Sequence, residues 1–344
     1  MHYPFSAIVG QETLKTALLL CAVDHRIGGV LISGPRGTAK STIARSLAEL
    51  SDNTKHFVNL PLSASEEKLV GTLDLEQALS KSAVRFSEGL LAKAHEGILY
   101  VDEINLLQDH LVDLLLDVAA SGVNHVERDG ISHQHAADFL LIATMNPDEG
   151  ELRPQLLDRF GLMVQLSNEY TLDERQLIMR SRLDFDKNPQ QFSQQFSAQQ
   201  RKLKDNLRQA RADLLTVTMP ELIVAYIAEI CHDARVEGLR ADITLFRAAC
   251  AHAALHLRNT VTADDVNAVK DYVLIHRKNS TSPRQTSQPT TPQSSQQTQS
   301  PLQPSNDSSI QGSWGEMSPQ AVVTGEKRQA PELLPNRMAV KKKP

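Results

Sequence analysis

The sequence predicts an α/β fold, in which a parallel sheet flanked by helices is followed by an all-helical domain. In the first half of the chain, short uncharged runs alternate with amphipathic helical stretches, which is typical of a parallel sheet. From about Asp173 the pattern is helical only, and from Asn279 the chain is rich in Ser, Thr, Pro and Gln. Such a composition buries too little apolar surface to fold. We therefore expect an α/β domain over 1–185, a helical lid domain over 195–278 and a disordered tail over 279–344.

The composition limits the classes of function. Of the 344 residues, 41% are hydrophobic, and the formal net charge of −5 gives no general attraction to nucleic acid. The three cysteines, Cys21, Cys231 and Cys250, are far apart and lack metal-binding spacing, as in a reducing compartment. Neither a signal-peptide pattern nor an apolar stretch of membrane-spanning length is present in the sequence. We expect a cytoplasmic protein that neither binds nucleic acid nor inserts into a membrane.

A glycine-containing loop lies between a predicted strand over Val30–Ile32 and a predicted helix that follows it. Strand, loop, Lys-Ser and helix is the order of a phosphate-binding loop, whose backbone N–H groups surround an anion. Lys40 is expected to reach the β- and γ-phosphates, and the Ser41 hydroxyl to ligate Mg²⁺. Ala39 stands where this motif usually has a glycine. The predicted nucleotide-binding residues here are Gly34, Pro35, Arg36, Gly37, Thr38, Ala39, Lys40, Ser41 and Thr42.

Two apolar residues ahead of the loop are expected to contact the base of a nucleotide. Ile8 and Val9 precede a helix predicted over Glu12–Val23, and they lie where an adenine ring would rest on apolar side chains. On their own they would mean little, but ahead of a phosphate loop they indicate a base site. The expected ligands of the chain are therefore ATP and Mg²⁺.

Two adjacent carboxylates end the strand pattern over Ile98–Val101. A carboxylate at the carboxyl end of a parallel strand, beside a phosphate loop, holds Mg²⁺ through water, and this role is assigned to Asp102. The neighbouring carboxylate, Glu103, is the candidate catalytic base that polarises the attacking water. The alternative is a solvated strand end without a catalytic role.

Three further polar residues are candidates for contact with the transferred phosphate. Asn146 follows a strand predicted over Phe139–Thr144, where its amide either meets the γ-phosphate or forms a simple Asx turn. Arg159, with Arg153, is either surface charge or a cation that stabilises the phosphoryl group at a neighbouring subunit's nucleotide. Arg240 begins a predicted helix, where it either meets a phosphate across a cleft or caps surface charge.

The remaining stretches carry weaker signals. Val123–Ile131 is predicted to form a β-hairpin, and His133 and His135 after it are interpreted as polar hairpin residues rather than metal ligands. Gly71–Asp74 is predicted to be a loop, and the Gln-rich stretch Asp184–Gln200 a linking loop. Helices are predicted after it over Arg201–Leu215, Pro220–Glu237, Asp242–Asn259 and Thr262–His276.

Two long runs resemble a known family. YVDEINLLQDHLVDLLLDVAASGVNHVERDGIS from Tyr100, and IATMNPDEGELRPQLLDRFGL from Ile142, closely resemble the ATPase (I) subunit of magnesium chelatase, an AAA+ protein. The likeness begins at IVGQE from Ile8 and continues through LPLSASEEKLVGTLDLEQAL from Leu60 to GLRADITLFRAA from Gly238. It covers roughly residues 4–278.

The resemblance implies an AAA+ P-loop NTPase fold and a role for each candidate residue. Gly34–Ser41 corresponds to the Walker A motif and Asp102–Glu103 to Walker B. Asn146 corresponds to sensor 1, Arg159 to the arginine finger and Arg240 to sensor 2. An insert over about 60–95 and a hairpin over about 122–138 ahead of sensor 1 are also implied.

The resemblance further implies an assembly. The family forms hexameric rings with nucleotide between subunits. It drives insertion of Mg²⁺ into protoporphyrin IX by a large catalytic subunit, together with a second AAA+ subunit that carries an integrin-type I (vWA) domain. Similar proteins are associated with cobaltochelatase. The chain is thus expected to be an ATP-hydrolysing motor subunit of a magnesium- or cobalt-chelatase complex.

Three alternative functions are open at the level of sequence. A MoxR-like AAA+ chaperone, which remodels or metallates a client with an I-domain partner, would carry the same ATP residues. A DNA-remodelling AAA+ protein is disfavoured, because its hairpin would need several cations for the phosphate backbone and Arg128 stands between Glu127 and Asp129. A nucleotide-binding scaffold with an inactive site is disfavoured by the complete set of candidate catalytic residues.

Overall fold

The computed structural model describes residues 2–50, 57–74, 85–128 and 131–278. The tail predicted over 279–344 lies outside these ranges, as do residues 129–130 of the predicted hairpin and residues 75–84 of the predicted insert. Within the described ranges, no helix is both long enough and apolar enough to cross a lipid bilayer.

A parallel sheet lies at the centre of the described structure. The strands are β1 (Val30–Ser33), β2 (Phe57–Leu60), β3 (Gly71–Asp74), β4 (Arg85–Glu88), β5 (Ile98–Val101), β6 (Val123–Arg128), β7 (Ile131–Ala136), β8 (Leu140–Met145) and β9 (Leu162–Gln165). Five of them form the sheet in the order β2-β5-β8-β1-β9, with every neighbouring pair parallel. The pairs β3–β4 and β6–β7 are separate antiparallel hairpins. The predicted parallel sheet is confirmed.

Helices flank this sheet and continue beyond it as an all-helical part. The helices in the described ranges are α1 (Glu12–Val23), α2 (Lys40–Ala48), α3 (Glu66–Val70), α4 (Leu90–Lys93), α5 (Asp109–Ser121), α6 (Pro154–Leu157), α7 (Leu172–Lys187), α8 (Pro189–Gln195), α9 (Ser197–Asp213), α10 (Glu221–Asp233), α11 (Arg240–Leu255) and α12 (Ala263–Leu274). α11 packs against α1 and against α12, so the last helices and the sheet share a core.

Alternate residues of the central strands face two hydrophobic cores. On β1, Val30 and Ile32 belong to the core that includes α1 and the C-terminal helices, whereas Leu31 belongs to the core that includes α5. All three side chains are fully buried, and burial of each stabilises the fold by about 1.5–3 kcal/mol. This two-sided burial explains why the strand sequence is apolar on both faces rather than alternating.

The strand order brings the carboxyl ends of β1, β5 and β8 to one edge of the sheet. Ser33 is paired with Met145, and Val101 with Ala143, so the residues that follow these strands are neighbours. In open α/β sheets this edge is where ligands bind. The residues that follow are Gly34, Asp102 and Asn146.

The prediction that Gly71–Asp74 is a loop is wrong, because these residues form strand β3. The strand pairs with β4, with Gly71 opposite Glu88. Both strands are four residues long and depend on pairing with each other, so local sequence carried little strand signal. Gly71 has a φ of +103°, and a Cβ there would collide with the Phe86 ring, so this position requires glycine.

The prediction that Asp184–Gln200 is a linking loop is also wrong, because the stretch is helical apart from brief breaks. Asn188 ends α7 and caps α8, where its side chain accepts from the Gln191 N–H at 3.1 Å. Gln has good helix propensity despite its polarity. Phe185 and Phe192 are buried against Tyr3 of the N-terminal segment, which supplies the core that a loop would lack.

Candidate functional site

The loop after β1 wraps around the side chain of Lys40, the first residue of α2. Lys40 Nζ donates to the carbonyl of Gly34 at 2.5 Å and lies 3.4 Å from the carbonyls of Pro35 and Met145. Burial lowers the pKa of the Lys40 ammonium, while the carboxylates of neighbouring residues oppose that shift. The ammonium is therefore held at the carboxyl edge, where a phosphate would replace backbone carbonyls as its partner.

Ala39 immediately precedes α2 in the left-handed region of backbone space, with φ 57° and ψ 24°. This is the position where the motif usually has a glycine, and the left-handed conformation costs a residue with a Cβ about 1–2 kcal/mol. Gly37, nearby in the same loop, also has a positive φ, and nothing lies within 4 Å of the place a Cβ would occupy there. The loop thus places an alanine in a strained left-handed conformation immediately before α2.

Replacement of Ala39 by Gly is expected to raise the free energy of unfolding by about 0.5–1 kcal/mol, because relief of the left-handed strain exceeds the added entropy of the unfolded chain. Thermal unfolding of the purified protein measures this as a higher Tm. Ala44→Gly is the matched control, since Ala44 lies in the interior of α2. That variant is expected to lower stability by about 1 kcal/mol. A lower Tm for Ala39→Gly would contradict the strain at this position.

Gln11 connects the phosphate loop to the segment that follows β9. Its side-chain Nε2 donates to the carbonyl of Thr38 at 3.0 Å and to the hydroxyl of Tyr170 at 2.7 Å. Gln11 itself has a φ of 54°, which directs its side chain back over the loop at the start of α1. Gln11 and Tyr170 were not among the sequence candidates. Tyr170 follows the last sheet strand at the carboxyl edge, and that placement was the available signal.

A cavity of about 770 Å³ opens beside the loop. Ile8 and Val9, the residues predicted to contact a base, form part of its wall, and Tyr170 also lines it. The lining is mainly apolar and includes a wall from α7 that sequence analysis did not assign to the site. Other lining residues include Gly37, Thr38, Ala39, Thr42, Leu172, Ile178 and Met179, and the polar residues Asn168, Arg175, Gln176 and Arg182. The volume and lining suit a purine base joined to a phosphate on the loop.

Asp102 and Glu103 are fixed by a buried threonine on the neighbouring strand. Thr144 Oγ1 donates to Asp102 Oδ1 at 2.6 Å and accepts from the Glu103 N–H at 3.0 Å. The Tyr100 hydroxyl also donates to Asp102, at 2.9 Å. Burial, followed by the charge of Asp102, raises the pKa of Tyr100, so its hydroxyl stays protonated. These donors orient the Asp102 carboxylate while the residue remains exposed to a ligand at the edge.

Glu103 adopts a left-handed backbone, with φ 52° and ψ 54°, immediately after Asp102. Strain of this kind, about 1–3 kcal/mol, is concentrated at functional sites. Arg36 of the phosphate loop lies with Nε 3.9 Å from Glu103 Oε1 and forms an ion pair with Glu149. Glu149 was not a sequence candidate, since only the fold brings it to the loop.

Asn146 is nearly fully buried at the end of β8. Its Oδ1 accepts from the Asp148 N–H at 3.4 Å, which is the local Asx turn that sequence analysis left as an alternative. It also lines a smaller cavity of about 250 Å³ together with Gly34 and Pro35 of the phosphate loop. The side chain therefore lies beside the loop while it stabilises the turn that follows.

Arg159 and Arg240 do not line either of these cavities. Arg159 Nη1 pairs with Asp113 at 2.9 Å and with Asp117 at 2.8 Å, both on α5. Arg240, the first residue of α11, donates from Nη1 to Asp158 Oδ2 at 2.8 Å. Asp158, the partner of Arg240, immediately precedes Arg159 in the chain. Neither arginine lines the cavity beside the loop or the smaller one.

Arg277 binds the segment that carries Asp158 and Arg159. Its side chain is almost fully buried, and Nε donates to Asp158 Oδ1 at 3.0 Å. Other guanidinium donors bind the carbonyls of Asp158, at 2.9 Å, and of Gly161, at 3.1 Å. The segment that carries Asp158 and Arg159 is thus tied to the end of α12 through a buried, hydrogen-bonded cation.

The residues at the carboxyl edge suit a magnesium nucleotide. Ser41 offers a hydroxyl and Asp102 a carboxylate, and Mg²⁺ prefers oxygen ligands combined with substrate phosphates over an all-protein cage. Within the described ranges, no group of three or more His, Cys, Asp or Glu side chains forms a metal-binding cluster. His133, which was interpreted as a polar hairpin residue rather than a metal ligand, stacks on the Phe86 ring with centroids 4.1 Å apart.

Two family models match the chain: the AAA domain of the dynein-related subfamily at residues 29–160, and the AAA lid domain at residues 224–299. The chloroplastic magnesium-chelatase subunit ChlI of Glycine max is 45% identical over 313 residues, covering 80% of this chain and 74% of that protein. An uncharacterized protein of Mycobacterium tuberculosis is 48% identical over 281 residues. That match covers 80% of this chain, which spans 45% of the mycobacterial protein.

A solved structure from Cytophaga hutchinsonii has the same fold. It is 22% identical in sequence, with a TM-score of 0.60, and the match covers 79% of this chain and 83% of that one. The AAA domain model spans strands β1 to β8, and the lid model spans most of α10 together with α11 and α12. The expected AAA+ fold with a helical lid is confirmed.

Proposed function

The chain belongs to the magnesium-chelatase I-subunit family of AAA+ proteins, and from this premise we propose that it is the ATP-hydrolysing motor subunit of a metal-chelatase complex. In this proposal ATP hydrolysis in an oligomeric ring drives insertion of Mg²⁺ or Co²⁺ into a tetrapyrrole. A large catalytic subunit binds the tetrapyrrole, and a second AAA+ subunit with an I domain links it to the ring. The single observation that carries the proposal is the convergence of the phosphate loop, Asp102 and Glu103 at one sheet edge beside a base-sized cavity.

Each residue at this edge has a distinct role in phosphoryl transfer in this proposal. Lys40 neutralises the β- and γ-phosphates, and Ser41 and Asp102 hold Mg²⁺. When bound, Mg²⁺ supplies charge that offsets the developing negative charge on the phosphate oxygens. Glu103 accepts a proton from the attacking water, and Asn146 orients that water. The Thr144 hydroxyl supports both residues, by donating to the Asp102 carboxylate and by accepting from the Glu103 backbone N–H.

The cations that complete the reaction come from a second copy in this proposal. Arg240 pairs with Asp158, the residue before Arg159, and neither arginine lines the cavity of its own chain. A guanidinium that stabilises the transferring phosphoryl group must touch it. A ring in which each copy presents these arginines to its neighbour's nucleotide meets that requirement, and we expect a hexamer.

Tyr170 is expected to contribute to base binding through its ring. Tyr170→Leu removes the aromatic side chain from the cavity wall, and loss of stacking on a base costs about 1–3 kcal/mol, or roughly 5- to 160-fold in the Kd for ATP. Calorimetric titration measures this value. Tripolyphosphate, which lacks the base, is the matched ligand, and its affinity for the loop is expected to be unchanged. If the variant binds both ATP and tripolyphosphate more weakly, and by the same factor, the substitution has disturbed the phosphate loop rather than stacking on the base.

Reconstitution tests the proposed function as a whole. The purified chain is combined with the large tetrapyrrole-binding subunit and the I-domain subunit, and metal insertion into the porphyrin is followed by fluorescence with Mg²⁺ or Co²⁺. We expect insertion that requires ATP hydrolysis by this chain. Absence of Mg²⁺-dependent ATPase activity, both alone and with these partners, would overturn the proposal. ATPase activity without metal insertion would favour a MoxR-like chaperone.

A further inference from the structure

Arg277 lies just beyond α12, which ends at Leu274, and its side chain is only 2% exposed. It lines neither the nucleotide cavity nor the smaller cavity beside the phosphate loop. A buried guanidinium costs free energy unless fixed partners accept its hydrogen bonds. The partners of Arg277 therefore indicate what this residue does in the fold.

These partners are concentrated on the segment that carries Arg159. Nε of Arg277 donates to the Asp158 carboxylate at 3.0 Å, and Nη2 donates to the Asp158 carbonyl at 2.9 Å. Nη2 also donates to the carbonyl of Phe160. Asp158 and Phe160 are the residues on either side of Arg159. The guanidinium thus holds the backbone immediately before and immediately after Arg159.

Other contacts hold the same segment in place. The Phe160 side chain is fully buried, and the Gly161 N–H donates to the carbonyl of Gly28 at 3.1 Å. His276, which precedes Arg277, donates from Nε2 to the Phe160 carbonyl at 3.1 Å. Burial lowers the pKa of His276 to about 3, so its ring is neutral and the positive charge at this point belongs to Arg277. The backbone at 158–161 is therefore bound from two sides.

The Arg159 side chain, in contrast, is held by contacts that it can exchange. It is 32% exposed, and its partners Asp113 and Asp117 are more exposed still, so solvent screens both ion pairs. A phosphate is an equally suitable partner for a guanidinium. Whether Arg159 reaches a phosphate on another copy then depends on where its backbone lies, and Arg277 holds that backbone.

We propose that Arg277 is a positioning residue for ATP hydrolysis, which fixes the backbone at Arg159 so that the Arg159 guanidinium reaches the phosphate bound by a neighbouring copy. This inference rests on the proposed function, because it requires an ATP site that two copies share. Arg277 itself touches neither the nucleotide nor the attacking water. Its effect is therefore exerted on the site of a different copy from its own.

Replacement of Arg277 by Lys tests the effect on turnover. Lysine keeps the charge but lacks the planar fork that binds a carboxylate and two carbonyls at once. We expect kcat to fall about 10²-fold, the size of effect that a misplacement of about 1 Å produces. The Kd for ATP should not change, and unchanged binding shows that the nucleotide domain is folded. Steady-state assays and calorimetric titration measure both values, and an unchanged kcat would overturn the proposal.

Arg258→Lys is the matched control. Arg258 donates from Nη1 to Asp265 at 2.7 Å, and Asp265 is fully buried in the first turn of α12. This substitution weakens a buried ion pair at the other end of the same helix, so we expect a lower Tm for both variants. Turnover of Arg258→Lys should stay nearly unchanged. Equal losses of kcat would show that any disturbance of α12 slows hydrolysis, and would overturn a positioning role.

Mixtures of variants identify the copy on which Arg277 acts. Arg277→Lys is mixed in equal amounts with Glu103→Gln or with Arg159→Ala, and mass photometry verifies that rings form. With Glu103→Gln, some sites combine an intact Glu103 with an Arg159 that an intact Arg277 holds, so ATPase activity should rise above that of either variant alone. With Arg159→Ala, the arginine is defective at every site, and we expect no gain.

The outcomes separate this inference from the proposed function. A gain with Arg159→Ala would show that Arg277 acts on the nucleotide cavity of its own copy and would overturn the inference. No gain with Glu103→Gln, or an Arg277→Lys chain that no longer enters rings, overturns it as well. The mixture of Glu103→Gln with Arg159→Ala is the reference. If this reference shows no gain, the shared site of the proposed function is contradicted, and this inference with it.

Discussion

Replacement of Glu103 by Gln is expected to lower the kcat for ATP about 10²- to 10⁴-fold, the range for loss of a general base. The amide keeps the size of the side chain but cannot accept the proton of the attacking water. ATP binding should persist, because Lys40 and the loop are untouched and the Glu103 backbone N–H still donates to Thr144. Steady-state ATPase assays and ATP titration on the same preparation measure both effects.

Glu151→Gln is the matched control for this substitution. Glu151 is an exposed carboxylate on the segment that follows β8, and its replacement changes charge by the same amount. We expect its turnover to stay within a factor of two of the wild type by the usual size of surface effects. Full activity of Glu103→Gln would remove Glu103 from the proposed chemistry.

Replacement of Arg159 by Ala is expected to lower kcat about 10³-fold or more, as for loss of an arginine finger in related phosphoryl transfers. Its effect on folding should be small, because the pairs with Asp113 and Asp117 are partly exposed and solvent screens them. The Kd for ATP of the monomer should not change, since Arg159 does not line the cavity of its own chain. The variant thus separates binding from turnover.

Arg153→Ala provides the control for Arg159→Ala. Arg153 pairs with Asp109 at 2.7 Å, so it makes the same type of contact with the same helix, α5. Its loss should leave turnover nearly unchanged. Equal losses of activity in both variants would indicate that the ion pairs to α5 matter for structure, and would contradict a specific role for Arg159 at a phosphate.

Much of the site was predictable because its parts are local in sequence. The phosphate loop and the Asp-Glu pair follow apolar strands, and parallel strands end at one edge. That logic predicted the neighbourhood of Lys40, Asp102 and Asn146 that the structure has. Ile8 and Val9 were predicted to contact a base because they precede the loop; they line the cavity beside it, and contact with a base stays a prediction.

What sequence analysis missed depends on contacts between distant residues. Gln11 bonds to Tyr170, 159 residues further along the chain, and Arg36 pairs with Glu149, 113 residues further along, so neither pairing has a local signature. The helices over Asp184–Gln200 were missed because their stability comes from Phe185 and its aromatic neighbours rather than from a periodic apolar face. The ion-pair partners of Arg159 and Arg240 likewise follow only from the packing of α5 and α11.

The central claim is that each ATP site is shared between two copies of the chain, and mixing two inactive variants tests it most directly. Glu103→Gln has an intact Arg159, and Arg159→Ala has an intact Glu103. At equal amounts, random assembly gives about a quarter of the interfaces with both groups intact. We predict that ATPase activity of the mixture rises well above that of either variant alone. A mixture no more active than its components, under conditions where mixed rings form, would contradict the shared site.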